Sequence, residues 1–267
     1  MASRNHKFGN ILGAGRAEID HQMLENAFVE TADYRALTST SDYNFVVGRR
    51  GTGKSALFFK LQETLTKRNQ LWSANKPEEY ETLELRHILT QYAPEYREAR
   101  AVARLAWKCD ILLSLANLRY YKNQRAPSLL FVADYIREHS DLFATTGPQR
   151  CAAIIKQYAK QANRDSSLPA AIATGLQINR LQNAISSVMT ETNRTAVLFW
   201  DDLDEGWAPD QATTAVLGGL AAAASDLAEA QTGIHCILFV RDNMFRALAH
   251  FDQDFSRNIE SNTLRLQ

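Results

Sequence analysis

Gly48-Arg-Arg-Gly51-Thr52-Gly53-Lys54-Ser55 is the stretch that decides the fold, and it matches the pattern G-x-x-x-x-G-K-[ST] at every fixed position. The preceding residues, Asp42-Tyr-Asn-Phe-Val-Val47, have the composition of a buried strand, and residues 55–65 have that of a helix. A strand, a glycine loop and a helix in this order form a phosphate site. The alternative is an ordinary glycine turn beside a surface lysine, which the flanking strand and helix disfavour.

The residues of this loop have different expected roles. Glycines leave room for backbone N–H groups to surround a β-phosphate, and the positive end of the following helix points at the same phosphate. We expect Lys54 to reach the β- and γ-phosphate oxygens as a catalytic group, and the Ser55 hydroxyl to be a ligand of Mg²⁺. Arg49 and Arg50 occupy variable positions of the loop. Such positions usually point outward, but contact with a phosphate is an alternative for both. The predicted nucleotide-binding residues are Gly48, Arg49, Arg50, Gly51, Thr52, Gly53, Lys54, Ser55 and Ala56.

Composition excludes several other classes of protein. The chain has 267 residues with 30 basic and 30 acidic side chains, so its net charge of zero argues against a domain-wide nucleic-acid surface but leaves a local patch open. The three cysteines, Cys109, Cys151 and Cys236, lie far apart, so neither a zinc ribbon nor a disulfide framework is indicated. The N-terminal residues lack the apolar core of a signal peptide, and the longest small-apolar run is too short to span a bilayer. We therefore expect a cytoplasmic protein without a membrane partner.

Apolar strands that alternate with helices predict an α/β fold. We expect a P-loop NTPase with a parallel sheet covered by helices on both faces, plus a large helical insertion between the P-loop helix and a later acidic strand. The pattern predicts strands at 42–47, 80–85, 195–200 and 234–240, with residues 70–79 as a polar connector. It predicts helices at about 17–37, 95–122, 129–139, 148–163, 176–192 and 211–230. The expected units are 1–85, with N-terminal helices and the P-loop; 86–175, the helical insertion; and 176–267, with the acidic and sensor strands.

The predicted strand at 195–200 ends in Asp201-Asp202-Leu203-Asp204-Glu205, which supplies the second half of the site. An acidic strand end is where a P-loop NTPase holds its metal, so we expect Asp201 to hold Mg²⁺ through water beside Ser55. Asp202 could orient and deprotonate the attacking water. Asp204 and Glu205 are expected to cap or solvate the loop. Alone, a solvated acidic turn would explain these residues better, but the P-loop upstream favours the metal role.

Two arginines are further candidates. Arg241 ends the next predicted strand, where a charge can sense the γ-phosphate or the attacking water; pairing with Asp242 or Asp201 for structure alone explains it about equally well. Arg257 could act as an arginine finger, although a solvated surface arginine is the simpler interpretation.

Three other patterns receive weaker interpretations. Asn75-Lys-Pro-Glu78 resembles the guanine-binding motif of GTPases, but it ends in Glu and precedes the acidic strand, so we reject it. Gly9–Gly15 is glycine-rich without a preceding strand and is expected to be a flexible lead-in, with an adenine-side contact as its best functional interpretation. The six histidines show no His-x-x-x-His spacing, so no zinc site is predicted.

These motifs together resemble those of bacterial P-loop ATPases, with the nearest similarity to the STAND and KAP-type NTPases, which are relatives of the AAA-type ATPases. The similar segments are Ala17-Glu-Ile-Asp20, Phe45-Val-Val-Gly48, Phe199-Trp-Asp-Asp-Leu-Asp204 and Phe239-Val-Arg-Asp242. The resemblance implies ATP rather than GTP, and a sheet with the sensor strand between the P-loop strand and the acidic strand. It also implies a regulatory role, often in defence against phages, with a sensor or effector as partner. Such proteins continue past a fifth strand, whereas this sequence ends at Asn262–Gln267, where that strand would begin. We therefore expect a truncated last strand, either because the sequence is a fragment or because a partner completes the domain.

The sequence supports two functional hypotheses. The first is an Mg²⁺-dependent ATPase with slow turnover that resets a conformational switch. The second is an ATP-gated assembly module that forms a homo-oligomer, hardly turns over and activates a separate effector; an Asp at position 202, shorter than the Glu common in AAA-type motors, leans slightly towards it. A small-molecule kinase is discounted because residues 205–232 contain no Lys or Arg for a basic lid.

Overall fold

The computed structural model describes residues 28–39, 42–117, 128–162, 167–230 and 232–267. Its strands are β1 Phe45–Gly48, β2 Leu71–Asn75, β3 Ala196–Trp200, β4 Ile234–Arg241 and β5 Thr263–Arg265. The helices on the P-loop side and after β3 are α1 Ala32–Ser39, α2 Lys54–Lys67, α9 Gln211–Glu229, α10 Asp242–Phe251 and α11 Gln253–Glu260. Between β2 and β3 lie α3 Glu79–Tyr92, α4 Tyr96–Ala116, α5 Ser128–Glu138, a 3-10 turn at Ser140–Phe143, α6 Gly147–Ala159, α7 Leu168–Gly175 and α8 Ile178–Glu191.

The five strands form one parallel sheet in the order β2-β3-β4-β1-β5. The expected position of the sensor strand is confirmed, because β4 lies between β1, which leads into the glycine loop, and β3, which ends in the acids. The short strand β5 forms at Thr263, where the sequence analysis expects a fifth strand to begin, and it pairs with β1. All carboxyl ends therefore meet at one edge of the sheet.

Helices cover both faces of the sheet, which confirms the predicted fold class. Because alternate side chains of a strand point to opposite faces, Phe45 and Val47 of β1 enter one core and Val46 enters the other. The smaller core joins Val46 to apolar residues of α1 and α2, such as Leu37 and Leu61. The larger core joins the opposite face to α3, α4, α6 and α8–α10. The helices between β2 and β3 thus share one continuous core with the sheet.

The second predicted strand was assigned to the wrong segment. Residues 80–85 lie in helix α3, whereas β2 forms at Leu71–Asn75, inside the expected connector. The alternation at 80–85 is part of a helical pattern, because the buried residues of α3 are Thr82, Leu85, Ile88 and Leu89. The Glu81 carboxylate also accepts a hydrogen bond from the backbone N–H of Glu78 at 3.1 Å, which caps the start of the helix. Strand β2 lies at the edge of the sheet and is only partly buried, and its polar end at Asn75 made it read as a connector.

The helical layer contains a buried ion pair between Arg150 of α6 and Asp110 of α4, with both side chains at most 2% exposed. The Arg150 guanidinium donates to Asp110 Oδ1 at 2.9 Å and to the carbonyl oxygen of Leu142 at 2.7 Å. The backbone N–H of Gly147 donates to the same carboxylate oxygen at 2.9 Å. Burial raises the pKa of Asp110, and the charge of Arg150 opposes that rise. The pair ties α6 and the 3-10 turn to the centre of α4.

Candidate nucleotide-binding site

The predicted site residues come together at the carboxyl edge of the sheet. The glycine loop follows β1, Asp201 and Asp202 follow β3, and Arg241 is the last residue of β4. Gly48 and Arg241 are partners in the β1–β4 register, so the sensor candidate begins directly beside the first glycine of the loop. This edge is where parallel sheets bind ligands.

The glycine loop has the backbone geometry that an anion cradle requires. Gly51 and Gly53 have φ values of 86° and 85°, in the left-handed region that favours glycine. Gly48 is required for a different reason, since a Cβ there would lie 2.5 Å from Thr52 Oγ1. Helix α2 begins at Lys54 without a side-chain cap, and the first N–H groups of a helix have no intrahelical acceptor. The loop can therefore offer these donors to a phosphate.

The Lys54 ammonium is held across the loop by two carbonyl oxygens. It donates to the carbonyls of Gly48 and Arg49, at 2.8 Å each. Burial lowers the pKa of Lys54, the Asp201 carboxylate opposes that shift, and Arg241 lowers the pKa further. Asp201 and Arg241 therefore both lie within electrostatic reach of Lys54.

The acidic pair after β3 fits a divalent cation. Asp201 is buried, and among the described residues its Oδ2 accepts no hydrogen bond. Burial raises the pKa of Asp201, and the neighbouring Asp202 carboxylate adds to the rise. Asp202 is more exposed, and its φ of 55° places it in the left-handed region, which asparagine and aspartate tolerate better than most residues. A buried carboxylate oxygen without a donor suits Mg²⁺, for which Ser55 and Asp201 would be the protein ligands.

Lys76 is a member of this site that the sequence analysis missed. It follows β2, and its Nζ lies 2.9 Å from Asp202 Oδ2 and 3.7 Å from Asp201 Oδ2. The ammonium also sits over the rings of Phe58 and Phe59, at 5.0 and 5.1 Å from their centroids. Lys76 could have been found from the sequence, because it follows the polar end of a strand that pairs with β3. That inference requires the correct position of β2, which the sequence analysis did not predict.

Arg241 pairs with neither of the two partners considered for it. Its guanidinium lies 2.5 Å from Asp204 Oδ2, so the structural partner is Asp204 rather than Asp242 or Asp201. Asp204, expected to cap or solvate its loop, instead holds the sensor candidate. Arg49 and Arg50 are exposed, and Arg257 is an exposed residue of α11. Gly9–Gly15 lies outside the described residues.

A cavity of about 470 Å³ lies at the opposite edge of the sheet, where its lining includes Leu37, Leu65, Val197 and His235 but no residue of the glycine loop. Within the described ranges, no group of three or more His, Cys, Asp or Glu side chains gathers to hold a metal ion. No described helix is long and apolar enough to cross a membrane.

Comparison with known proteins identifies the type of domain. A family model described as "AAA ATPase domain" matches residues 22–231. A protein of Escherichia coli (strain K12), named "Putative transposon gamma-delta 80.3 kDa protein", is 33% identical over 270 residues. The alignment covers 100% of this chain but 38% of that relative, so the chain spans well under half of the relative's length. No solved structure matches the chain significantly.

Proposed function

Because the chain belongs to the AAA ATPase domain family, we propose that it is a regulatory ATPase domain that binds ATP with Mg²⁺ and hydrolyses it slowly. The observation that carries the proposal is the meeting, at one sheet edge, of the glycine cradle, the Lys54 ammonium and the buried Asp201 oxygen that lacks a donor. The glycine cradle offers backbone N–H donors, Lys54 offers a positive charge, and Asp201 offers a ligand for Mg²⁺. A bound nucleoside triphosphate needs all three.

The candidate residues divide the work of the proposed reaction between phosphate binding, metal binding and activation of water. The loop from Gly48 to Ala56 would bind the phosphates through backbone N–H groups, and Lys54 would leave its two carbonyl partners to contact the β- and γ-phosphates. Ser55 and Asp201 would hold Mg²⁺, which when bound supplies neutralisation of the phosphate charge. Asp202 would orient water and accept its proton, and Arg241 would contact the γ-phosphate.

Two variants test the proposal. Lys54→Ala removes the ammonium that contacts the phosphates, so ATP affinity measured by calorimetry should fall at least tenfold, and unchanged affinity would contradict the assignment. Asp202→Ala should keep ATP binding but lose most phosphate release, by roughly a hundredfold or more. If wild type and Asp202→Ala both bind ATP and assemble but are equally inert in phosphate release, the enzyme hypothesis fails, whereas equal and active release would reject only the role of Asp202.

The second candidate function is an ATP-gated assembly module with little turnover. Asp202 favours it, because its carboxylate is on a short side chain and is held by Lys76 in the structure. Under this hypothesis the chain would form a homo-oligomer or recruit an effector when ATP is bound. Size-exclusion chromatography with and without a slowly hydrolysed ATP analogue tests it: a shift to larger species supports assembly, and an unchanged monomer opposes it.

The STAND or KAP-like subgroup and a role in defence against phages are proposals that rest on the motif resemblance. The name of the E. coli relative connects that protein with a transposon, and we propose a comparable association with mobile DNA as the competing cellular setting. A plaque assay on cells that express the protein, compared with cells that express Lys54→Ala, tests the defence role: equal plaque numbers would oppose it.

A further inference from the structure

We propose that Asp204 is a positioning residue that holds Arg241 away from the phosphate site until a triphosphate displaces it, and that the loop carrying Asp204 relays this change to the helical layer. The inference rests on the proposed ATP binding and adds a regulation of the same site. Its central observation is the 2.5 Å contact between the side chains of Arg241 and Asp204. Arg241 is also the register partner of Gly48, the first glycine of the loop.

The ion pair between Arg241 and Asp204 is weak enough for a bound triphosphate to displace. The side chains of Arg241 and Asp204 are 40% and 22% exposed, so solvent screens their attraction. A partly exposed ion pair of this kind changes a competing equilibrium by up to about fivefold. A triphosphate carries several negative charges, and it would bind in the loop beside the start of the Arg241 side chain. It would therefore compete with the single Asp204 carboxylate for the guanidinium.

The loop around Asp204 is a compact unit that can transmit displacement. The backbone N–H of Glu205 donates to the carbonyl of Asp202 at 3.0 Å, and that of Trp207 donates to the carbonyl of Asp204 at 3.1 Å. Gly206 closes the turn with a φ of 68°. Asp204 is thus tied by two consecutive turns to the residues on both sides of it.

This loop is also in direct contact with the helical layer. A Cβ at Gly206 would lie 3.2 Å from both the Cγ and the carbonyl oxygen of Glu79, at the start of α3. Leu203 and Trp207 pack against the larger core, where both line a small cavity together with Trp107 of α4. Release of Asp204 from Arg241 should therefore change how Leu203 and Trp207 pack.

A double-mutant cycle on the purified chain tests the restraint. Asp204→Asn should raise ATP affinity two- to fivefold, and should raise ADP affinity less because ADP lacks the γ-phosphate. In an Arg241→Gln background, Asp204→Asn should have no effect, because the restrained group is gone. The matched control is Glu205→Gln, which removes one carboxylate from the next, exposed position and should leave ATP affinity unchanged.

Three outcomes would overturn the inference without touching the proposed function. ATP affinity could be the same in wild type and Asp204→Asn. The gain could persist in the Arg241→Gln background, which would make it simple charge repulsion. Glu205→Gln could give the same gain as Asp204→Asn. By contrast, a wild-type chain that binds no ATP would reject the proposed function itself, and the inference with it.

Tryptophan fluorescence provides a separate readout of the relay. ATP should change the emission of the wild type, and Trp207→Phe should remove most of that change. Nucleotide-free Asp204→Asn should already show emission shifted towards the ATP-bound value. Identical emission of nucleotide-free wild type and Asp204→Asn would reject the coupling of the loop to Arg241.

Discussion

Lys76 provides the only cation that the structure places within 4 Å of the carboxylates of Asp201 and Asp202, among the residues it describes. Two carboxylates so close in sequence repel each other when both are ionised, and a neighbouring cation relieves that repulsion. The ammonium also lies over the rings of Phe58 and Phe59. Lys76 therefore stabilises the acidic pair in the nucleotide-free protein.

Replacement of Lys76 should make the protein more dependent on magnesium. Lys76→Ala should lower the melting temperature of the nucleotide-free protein by about 2 °C, since the ion pair is partly exposed. Addition of Mg²⁺ and ADP should raise the melting temperature of the variant more than that of the wild type, because Mg²⁺ replaces the lost charge. Differential scanning fluorimetry measures both values.

The controls for this prediction are Lys76→Arg, which keeps the charge, and Lys67→Ala, which removes an exposed lysine that pairs with Glu63 far along α2. Neither should change the response to Mg²⁺ and ADP. If Lys76→Ala responds to the ligands as the wild type does, the proposed role of Lys76 is wrong.

The sequence points mainly to candidate site residues that lie in short motifs or at the ends of predicted strands. Gly48–Ser55 and Asp201 lie in short patterns whose chemistry is visible without the fold. Lys76 and Asp204 belong to the site through strand order and side-chain direction, which bring β2 beside β3 and the Asp204 loop beside Arg241. Those relations depend on residues far apart in the chain, so local patterns could not reveal them.

At the scale of elements, helices α4 and α9 are in close backbone contact. A Cβ at Gly219 of α9 would lie 2.5 Å from Ala103 Cβ and 2.8 Å from the backbone nitrogen of Arg104. Neither contact is the end of a flexible side chain, so the helices would have to separate. The adjacent Gly218 differs, since a Cβ there would meet side-chain atoms at 3.1–3.3 Å.

These two glycines form a matched pair for a stability test. Gly219→Ala should lower the free energy of unfolding by about 1–3 kcal/mol, because it overpacks a helix interface. Gly218→Ala should change it by less than about 1 kcal/mol, because its neighbours can move and alanine favours the helix. Urea unfolding followed by circular dichroism measures both. Equal loss in the two variants would show that the backbone contact of α4 and α9 is not the cause.

The element boundaries illustrate what local patterns can resolve. Helices with strong periodicity, such as α4 and α8, are confirmed close to their predicted positions. Strand β2 was misplaced because it is a short edge strand with a polar end, while α3 begins with an alternation that lasts for only six residues. Burial in the folded sheet, rather than local sequence, distinguishes the two segments.

At the scale of the whole molecule, the larger core runs without interruption from the sheet into the helical layer. Damage to the helical layer should therefore destabilise the nucleotide site as well. Arg150→Met leaves the Asp110 carboxylate buried without its cation, which should cost about 3–5 kcal/mol of unfolding free energy at neutral pH.

The loss in Arg150→Met should depend on pH in a defined direction. Burial raises the pKa of Asp110 in the folded state above its ordinary value of 3.8, and without Arg150 nothing in that pair opposes the rise. As pH falls from 7 towards 4, the folded variant takes up a proton before the unfolded chain does, so the loss should become smaller. Denaturant midpoints at several pH values measure this trend.

The control for that trend is Asp110→Asn/Arg150→Met, in which the titrating group is absent and the asparagine can still accept from Gly147. The loss of unfolding free energy of this double variant relative to wild type should not become smaller at low pH. A constant loss for Arg150→Met across this pH range would show that Asp110 is not the group responsible.

The pairing of β1 also affects how the protein matures during synthesis. The strand that leads into the glycine loop is flanked in the sheet by β4 and β5, and the side chain of Asn44 bonds to a carbonyl 192 positions further along the chain. During synthesis, the glycine loop would therefore leave the ribosome long before the strands that flank β1 in the sheet are available to fix its conformation. The loop should therefore become able to bind a nucleotide only after β4 and β5 have been synthesised and have paired with β1 on both sides.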